Sequence, residues 1–267
     1  MSSSTGINNH TPTMRAKRFA YWLSQHWLLV FGVLFGLFVG LPWLAPLFRH
    51  WGWNAAANGI YTLYSTQCHQ LPQRSFFLFG PQVMYSLDTI QAAWQNTDNP
   101  LTLRQFVGNS EMGWKVAWSD RMVYMYTAVL FGAALFGLWR KRIKPIPLWG
   151  FILFLLPMAI DGFSHFISDA TGGMGGGFRD NNAWLALLTN NVFPITFYAG
   201  DALGSFNSWM RFLSGLFFGL GMVWFTFPHL EDSFAQTAQE LKIQLQPAKT
   251  KSNELIHEST HPRSISR

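Results

Sequence analysis

Four long apolar runs constrain this chain more than any other feature of its sequence. They extend over about residues 27–48, 122–139, 147–166 and 209–228. A helix needs about 20 mostly apolar residues to cross the hydrocarbon core of a bilayer. Charged residues make up only 12% of the chain, about half of their share in soluble domains. We therefore predict an all-α, polytopic integral membrane protein with four transmembrane helices, two structured outer loops and the lipid bilayer around it.

The distribution of Lys and Arg predicts how the chain is oriented in the membrane. Residues 15–18 carry three basic side chains before the first run, and residues 140–144 carry four between the second and third runs, with no acid in either cluster. Basic clusters next to spans stay on the cytoplasmic side. We therefore expect a multi-pass protein of the cell membrane with both termini cytoplasmic. The long segments 49–121 and 167–208 then form the outer loops.

The remaining stretches suggest how the chain is divided. We expect residues 1–26 to be a disordered or basic cytoplasmic N-terminus and residues 27–230 to be the membrane domain. Residues 231–267 are predicted to form an amphipathic cytoplasmic helix to about residue 246 and a disordered tail after it. The apolar stretch 184–198 is interrupted by Thr, Asn and Pro and is too short to span, so it is re-entrant or interfacial.

Glycines at intervals of four lie in two of the predicted spans. Gly32, Gly36 and Gly40 share one face of the first span, and Gly215 and Gly219 share a face of the fourth. Such faces allow close helix packing, although glycine is also generally frequent in membrane helices. For the first span we favour packing, either within the chain or in a homo- or hetero-oligomer.

Ionisable residues at the end of the third run are the strongest functional signal. Asp161, His165 and Asp169 are spaced by four residues, so they share one helix face. Together with His69 they are candidate ligands of a divalent metal, the one cofactor that the sequence suggests. The alternatives are a proton relay and a histidine held by a carboxylate for helix packing.

A charge inside a span must also be compensated. A carboxylate at the depth of Asp161 costs about 3 kcal/mol unless it is paired or hydrated. The cations that the sequence places at a similar depth are Arg121 and Arg211 at span ends and Arg74 on a loop. We therefore expect Asp161 and His165 to face the bundle interior and to contact Arg121 or the loop of residues 68–74.

A polar cluster precedes the second run and completes the candidate site. Cys68 and His69 are metal-ligand types, and Arg74 suits a carboxylate or a phosphate. Cys68 is the one cysteine of the chain, so it forms no intramolecular disulfide, and a buried structural thiol is the favoured interpretation. The predicted ligand-site residues are Cys68, His69, Gln70, Arg74, Asp120, Arg121, Asp161, Asn207 and Arg211. The predicted metal ligands are His69, Asp161, His165 and Asp169.

The same cluster carries a family resemblance. Cys68-His69-Gln70, Pro72, Arg74-Ser75-Phe76 and Gly80 resemble the signature of a bacterial membrane-protein family of unknown function, domain of unknown function 2085. The later residues Asp120-Arg121, Asp161-Gly162, Asn207, Arg211 and Gly215 are similar to further marks of that family. The resemblance extends over about residues 60–230 and implies a membrane fold without a known activity. The family continues with two more cysteines, which residues 81–86 lack here, so no thiolate-metal or thiol-redox role is expected.

Three functions are compatible with these observations. The first is an outward-facing polar site that binds a divalent metal or a small anion. The second is a membrane enzyme, a metal-assisted hydrolase or transferase acting on a lipid-linked substrate. The third is an accessory subunit of a membrane complex. We rank binding and accessory roles above catalysis, because the sequence shows no nucleophile–base pair and no complete ligand set. It also has no nucleotide-binding motif, and we expect no nucleic-acid partner.

Overall fold

The computed structural model describes residues 13–140 and 142–246. Four helices are long and apolar enough to cross a membrane, in agreement with the four predicted spans. The prediction of a mostly helical, polytopic membrane protein is therefore confirmed. In chain order the elements are α1 Met14–His50, α2 Asn54–Tyr64, a 3-10 turn Pro72–Arg74, β1 Ser75–Leu78, α3 Leu87–Ala93, α4 Pro100–Leu103, β2 Gly108–Asn109, β3 Gly113–Ser119, α5 Asp120–Trp139, α6 Leu148–Gly172, α7 Phe178–Asn181, α8 Ala183–Leu188, α9 Ile195–Tyr198 and α10 Phe206–Leu245. The candidate spans are α1, α5, α6 and α10.

The chain divides into two compact units. The larger unit is Phe31–Pro228, and it contains the candidate site. The described parts of the two chain ends form the smaller unit. There the indole of Trp27 donates a hydrogen bond to Glu231 over 2.8 Å and stacks on Phe234. These contacts hold the beginning of α1 to the last part of α10.

The helices of the first and last spans extend beyond the apolar runs. Residues 14–26, which include the basic Arg15, Lys17 and Arg18, are helical, and α1 is kinked at His26 near the predicted boundary. No Gly or Pro interrupts the sequence between residues 14 and 26, so the helix extends beyond the apolar run. Likewise α10 continues through Pro228, which joins the fourth span to the predicted amphipathic helix. The disorder predicted for residues 1–12 and 247–267 lies outside the described residues.

The connection between α1 and α5 contains a small sheet that the sequence analysis did not predict. Its three antiparallel strands are ordered β1-β3-β2, with Phe77 opposite Lys115. Gly80 is required here, because a Cβ on this residue would lie 1.9 Å from the carbonyl oxygen of Met112. The sheet packs through Trp118 against Tyr64 of α2 and Phe38 of α1. β3 leads directly into α5, so the sheet sets where that span begins.

The connection between α6 and α10 consists of short helices. The predicted re-entrant or interfacial stretch 184–198 corresponds to α8 and α9, which have six and four residues. Several of its apolar side chains are exposed, among them Leu187 and Ile195. Neither helix is long enough to span a bilayer.

The glycines of α10 form its contacts with the neighbouring spans. A Cβ on Gly219 would lie 2.6 Å from both the carbonyl oxygen of Met125 and the Cβ of Ala128, so α10 and α5 approach backbone to backbone. By contrast, no atom of the described chain outside α1 lies within 4 Å of the Cβ positions of Gly32, Gly36 and Gly40. Close packing within the chain therefore uses the glycines of the fourth span, not those of the first.

This difference predicts opposite outcomes for the same substitution. Gly219→Ala should lower the free energy of unfolding by about 1–3 kcal/mol, because the added methyl overpacks the α5–α10 contact. Gly36→Ala has open space at its Cβ within the described chain, so in the monomeric protein it should leave the free energy of unfolding unchanged or slightly raised. Thermal unfolding of the two purified variants in the same detergent measures both effects. Equal shifts for the two variants would contradict the packing described for α10.

Candidate functional site

Buried charges from five parts of the larger unit meet near one end of α5, α6 and α10. These parts are the 3-10 turn before β1, the beginning of α5, the second half of α6, the segment between α6 and α10, and the beginning of α10. We call this set the buried network. Its members are Arg74, Arg121, Arg179, Arg211, Asp120, Asp161, Asp169 and Asp201. Four arginines and four aspartates balance each other in formal charge.

Arg74 ties the first connection to the second and to α6. Its two terminal nitrogens donate to the Asp169 carboxylate over 2.9 and 3.0 Å, and its Nε donates to Asp201 over 2.7 Å. Burial alone would lower the pKa of Arg74, but the two carboxylates outweigh it and raise that pKa. Burial alone would raise the pKa of Asp201, but Arg74 and Arg211 lower it. Both groups therefore stay ionised.

Arg211 is the most enclosed cation of the buried network. Its Nε donates to Asp120 over 2.7 Å, and its Nη1 and Nη2 donate to the Asp201 carboxylate and carbonyl over 2.6 and 2.7 Å. Asp120 is fully buried in the first turn of α5, where a helix N-terminus favours a negative charge. The pair thus fixes α10 to the start of α5.

Asp161 is shared by two arginines. Its Oδ2 accepts from Arg121 over 2.6 Å, and its Oδ1 accepts from Arg179 over 2.7 Å. The residue is 5% exposed. The prediction that Asp161 faces the bundle interior and pairs with Arg121 is therefore confirmed, and Arg179 is a second partner that was not predicted.

His165 has one matched and one unmatched ring nitrogen. Its Nε2 lies 3.2 Å from Nη2 of Arg179, and because a guanidinium can only donate, Nε2 must accept. The imidazole is then neutral and carries its hydrogen on Nδ1. Within residues 13–140 and 142–246, this buried Nδ1 has no hydrogen-bond partner, and neither has the buried Nε of Arg121. The buried Nε of Arg179 likewise has no partner. The site therefore holds three N–H donors without an acceptor among the described residues.

A cavity of about 170 Å³ lies beside the buried network. Seven of the nine predicted ligand-site residues line it, and so does His165; Asp161 and Asn207 do not. The lining residues are Gln67, Cys68, His69, Gln70, Leu71, Arg74, Ser119, Asp120, Arg121, Met122, His165 and Arg211. The helix and loop segments that the sequence analysis chose separately thus meet at one cavity.

Asn207 does not line the cavity and instead binds the backbone around Arg179. Its amide nitrogen donates to the carbonyls of Arg179 and Gly200 over 2.6 and 3.0 Å. Asn182, in the left-handed conformation, donates to the same Arg179 carbonyl and to that of Tyr198. The two asparagines therefore hold the loop from which Arg179 reaches Asp161.

Arg179 and Asp201 are the network members that the sequence analysis did not select. Both lie in a loop-rich segment without a motif. The predicted Asp120, Asp161 and Asp169 already matched Arg74, Arg121 and Arg211 in number. Charge balance among buried groups therefore gave no signal for a fourth carboxylate or a fourth arginine.

The predicted metal ligands do not form a ligand set. Asp161 and Asp169 direct their carboxylate oxygens to arginines. In the part of the chain that the structure describes, no group of three or more His, Cys, Asp or Glu side chains is arranged to hold a metal ion. Because cations already occupy these carboxylates, the prediction of a divalent-metal centre gains no support from the geometry.

Cys68 has the contacts of a structural thiol. Its sulfur accepts hydrogen bonds from the backbone nitrogens of Gln70 and Ser119 and donates to the Ser119 hydroxyl, at 3.3–3.4 Å. The residue is 8% exposed. Its contacts join the loop of residues 68–74 to the end of β3.

This environment predicts slow reactivity of Cys68. In folded protein a maleimide should label the thiol at least about tenfold more slowly than after denaturation, since burial limits access. Mass spectrometry of timed samples measures both rates, and a cysteine introduced at the exposed Gln95 in a Cys68→Ser background provides the accessible reference. Labelling of native Cys68 as fast as that reference would indicate an exposed, functional thiol.

Comparisons with known proteins test the predicted family resemblance. It is 27% identical over 185 residues to an uncharacterised protein of Methanocaldococcus jannaschii, covering 66% of this chain and 91% of the relative. That relative is archaeal, so the comparisons do not support the description of the family as bacterial. No solved structure matches the chain. Residues 110–225, which contain every network residue except Arg74, match the family described as predicted membrane protein, DUF2085. This match confirms the predicted resemblance: over these residues the chain is similar to the DUF2085 predicted membrane proteins.

Proposed function

We propose that the protein binds a small oxyanion in the cavity beside the buried network. The observation that carries this proposal concerns two of the three buried donors without an acceptor, Nε of Arg121 and Nδ1 of His165. Both residues line the cavity. An unmatched buried donor costs about 1–3 kcal/mol, and an acceptor in the cavity would recover that cost. An oxyanion supplies several acceptor atoms in one group.

The size and charge of the cavity agree with such a ligand. One water needs roughly 10–15 Å³ of cavity, so a volume of about 170 Å³ accommodates a phosphate, sulfate or carboxylate group. Because the four arginines are already balanced by four aspartates, hydrogen bonding and not excess positive charge would select the ligand. Groups that are held in place before binding need little reorganisation, which favours affinity.

Arg121→Lys tests the proposal without leaving Asp161 unpaired. Lysine keeps a cation for Asp161 but removes the Nε and Nη1 donors. Loss of a charged hydrogen bond costs about 1.5–3 kcal/mol, so affinity for inorganic phosphate should fall about tenfold or more. Isothermal titration calorimetry of the purified protein measures this. The control is Arg104→Lys, whose guanidinium donates to the Ser65 carbonyl and does not line the cavity. Equal affinities of the two variants, or no phosphate binding by the unaltered protein, would contradict the proposal.

The cavity lies on the side of the membrane opposite the basic linker 140–144, which we place in the cytoplasm together with both termini. This part of the proposal rests on the charge pattern. In a Cys68→Ser background, Pro145→Cys should resist an impermeant maleimide added to intact cells, whereas Gln95→Cys in the first connection should react. The reverse pattern would invert the orientation.

The proposal describes a binding or accessory protein and not an enzyme. The Cys68 thiol is engaged by Ser119 and Gln70, and no general base contacts it among the described residues.

The open glycine face of α1 adds an expectation about assembly. Gly32, Gly36 and Gly40 meet no other part of the described chain, so a second helix from a like or unlike subunit would pack there. The metal-assisted enzyme remains the weaker alternative, since its ligand set is missing.

A further inference from the structure

An apolar groove lies along the outer face of α6, close to the buried network. It has a volume of about 800 Å³ and is lined almost entirely by carbon, including Ala159, Gly162, Phe163, Phe166, Ile167 and Phe178. Phe163 and Phe166 are 65% and 67% exposed, so nothing in the described chain covers them. In a span, such a face contacts lipid tails.

Arg121 connects this groove to the cavity. The side chain lines the cavity, and its Nη1 lies 3.4 Å from the position that a Cβ on Gly162 would take. Gly162 is itself part of the groove lining. The guanidinium therefore stands between a polar cavity and an apolar groove. Its Nη2 is bound to Asp161, whereas Nη1 makes no hydrogen bond to the residues that the structure describes.

We propose that the ligand of the cavity is the phosphate of a membrane lipid whose acyl chain lies in the groove. This inference rests on the oxyanion site proposed above and specifies its ligand. The cavity, about 170 Å³, holds a head group but no acyl chain, and the groove, about 800 Å³, holds a length of chain but offers little to an anion. Arg121 at their junction offers its unmatched Nε and Nη1 donors to a phosphate whose lipid reaches both.

The charges around the cavity also select the type of head group. Asp120, the acidic residue among the lining residues, is bound to Arg211 over 2.7 Å, so no free carboxylate faces a quaternary ammonium. The unmatched buried groups of the lining residues, Nε of Arg121 and Nδ1 of His165, are donors. A phosphate monoester presents more acceptor oxygens to them than a phosphodiester, and it carries no cationic group. Phosphatidic acid should therefore bind more tightly than phosphatidylcholine.

Native mass spectrometry of the full chain in a neutral detergent tests this inference. The probes are dioleoyl phosphatidic acid and dioleoyl phosphatidylcholine, which share their acyl chains. Ala159→Trp places a bulky side chain in the groove, and Leu153→Trp places the same side chain at an exposed position of α6 outside the groove. We expect phosphatidic acid to bind about tenfold or more tightly than phosphatidylcholine, and Ala159→Trp, but not Leu153→Trp, to abolish that preference.

Inorganic phosphate, titrated into the same preparations, separates the two proposals. Phosphate binding by both tryptophan variants, with phosphatidic acid lost only from Ala159→Trp, supports the lipid phosphate. Phosphate binding without any preference for phosphatidic acid, or with equal effects of the two tryptophans, overturns the lipid inference and leaves the oxyanion site in place. Binding of neither probe overturns both.

Discussion

Arg211→Met is expected to lower the free energy of unfolding by about 3–5 kcal/mol, the usual cost of removing one partner from a buried ion pair. The substitution removes the guanidinium that pairs with the carboxylate of the fully buried Asp120. It also removes one of the two arginines that pair with Asp201. Methionine fills a similar volume, so the effect reports the lost charge and not a cavity. Thermal unfolding in detergent, followed by circular dichroism, measures it.

Two further variants make this result specific. Arg49→Met removes a half-buried guanidinium that donates to the side-chain amides of Asn54 and Asn58 and lies over the Trp114 ring. Its effect should be smaller than that of Arg211→Met, because no buried carboxylate loses its partner. Adding Asp120→Asn to Arg211→Met should restore part of the lost stability, because the unpaired charge disappears. An Arg211→Met protein as stable as Arg49→Met would show that the buried network does not hold the helices together.

The second large effect concerns Lys115, which is fully buried in β3. Its ammonium donates to the carbonyls of Gln70 and Arg104, each over 2.7 Å. Burial, with a smaller contribution from Arg104, lowers the pKa of Lys115 to about 7, against about 10.4 in an unfolded chain. Below pH 7 both states are protonated and the full cost of burying the charge is present. Between pH 7 and 10 the unfolded chain binds the extra proton, so stability should rise with pH.

Comparison with Lys115→Met isolates this contribution. The difference in unfolding free energy between the unaltered protein and the variant should increase by about 1 kcal/mol for each pH unit from 7 to 10. Chemical denaturation at several pH values measures that slope, and Lys144→Met, at an exposed position, is the control. Parallel pH profiles for all three proteins would mean that Lys115 keeps its proton throughout.

The sequence was sufficient where one physical cost dominates. Lipid contact demands long apolar helices, so four spans could be predicted from composition along the chain. The cost of a carboxylate inside a span likewise predicted that Asp161 turns inward to Arg121, which the structure confirms. Both predictions depend on local sequence and on a large free-energy cost, that of placing polar groups in lipid, which only a few arrangements of the chain avoid.

Other features depend on contacts between distant segments. The β1-β3-β2 sheet has strands of four, seven and two residues, and such short strands carry little alternation that could distinguish them from loops. Arg179 and Asp201 reach the buried network only through loop conformations held by Asn182 and Asn207. The early start of α1 reflects helix propensity in a polar stretch, which the apolar pattern does not report.

An anomalous difference map from crystals of the protein grown with selenate, an oxyanion of the size of phosphate, would observe the oxyanion site directly. We expect a selenium peak in the cavity, with oxygens about 2.7–3.2 Å from Nε of Arg121 and Nδ1 of His165. Arg121→Lys crystals should lack this peak. A cavity without selenate, in crystals that bind it elsewhere on the protein, would contradict the oxyanion site.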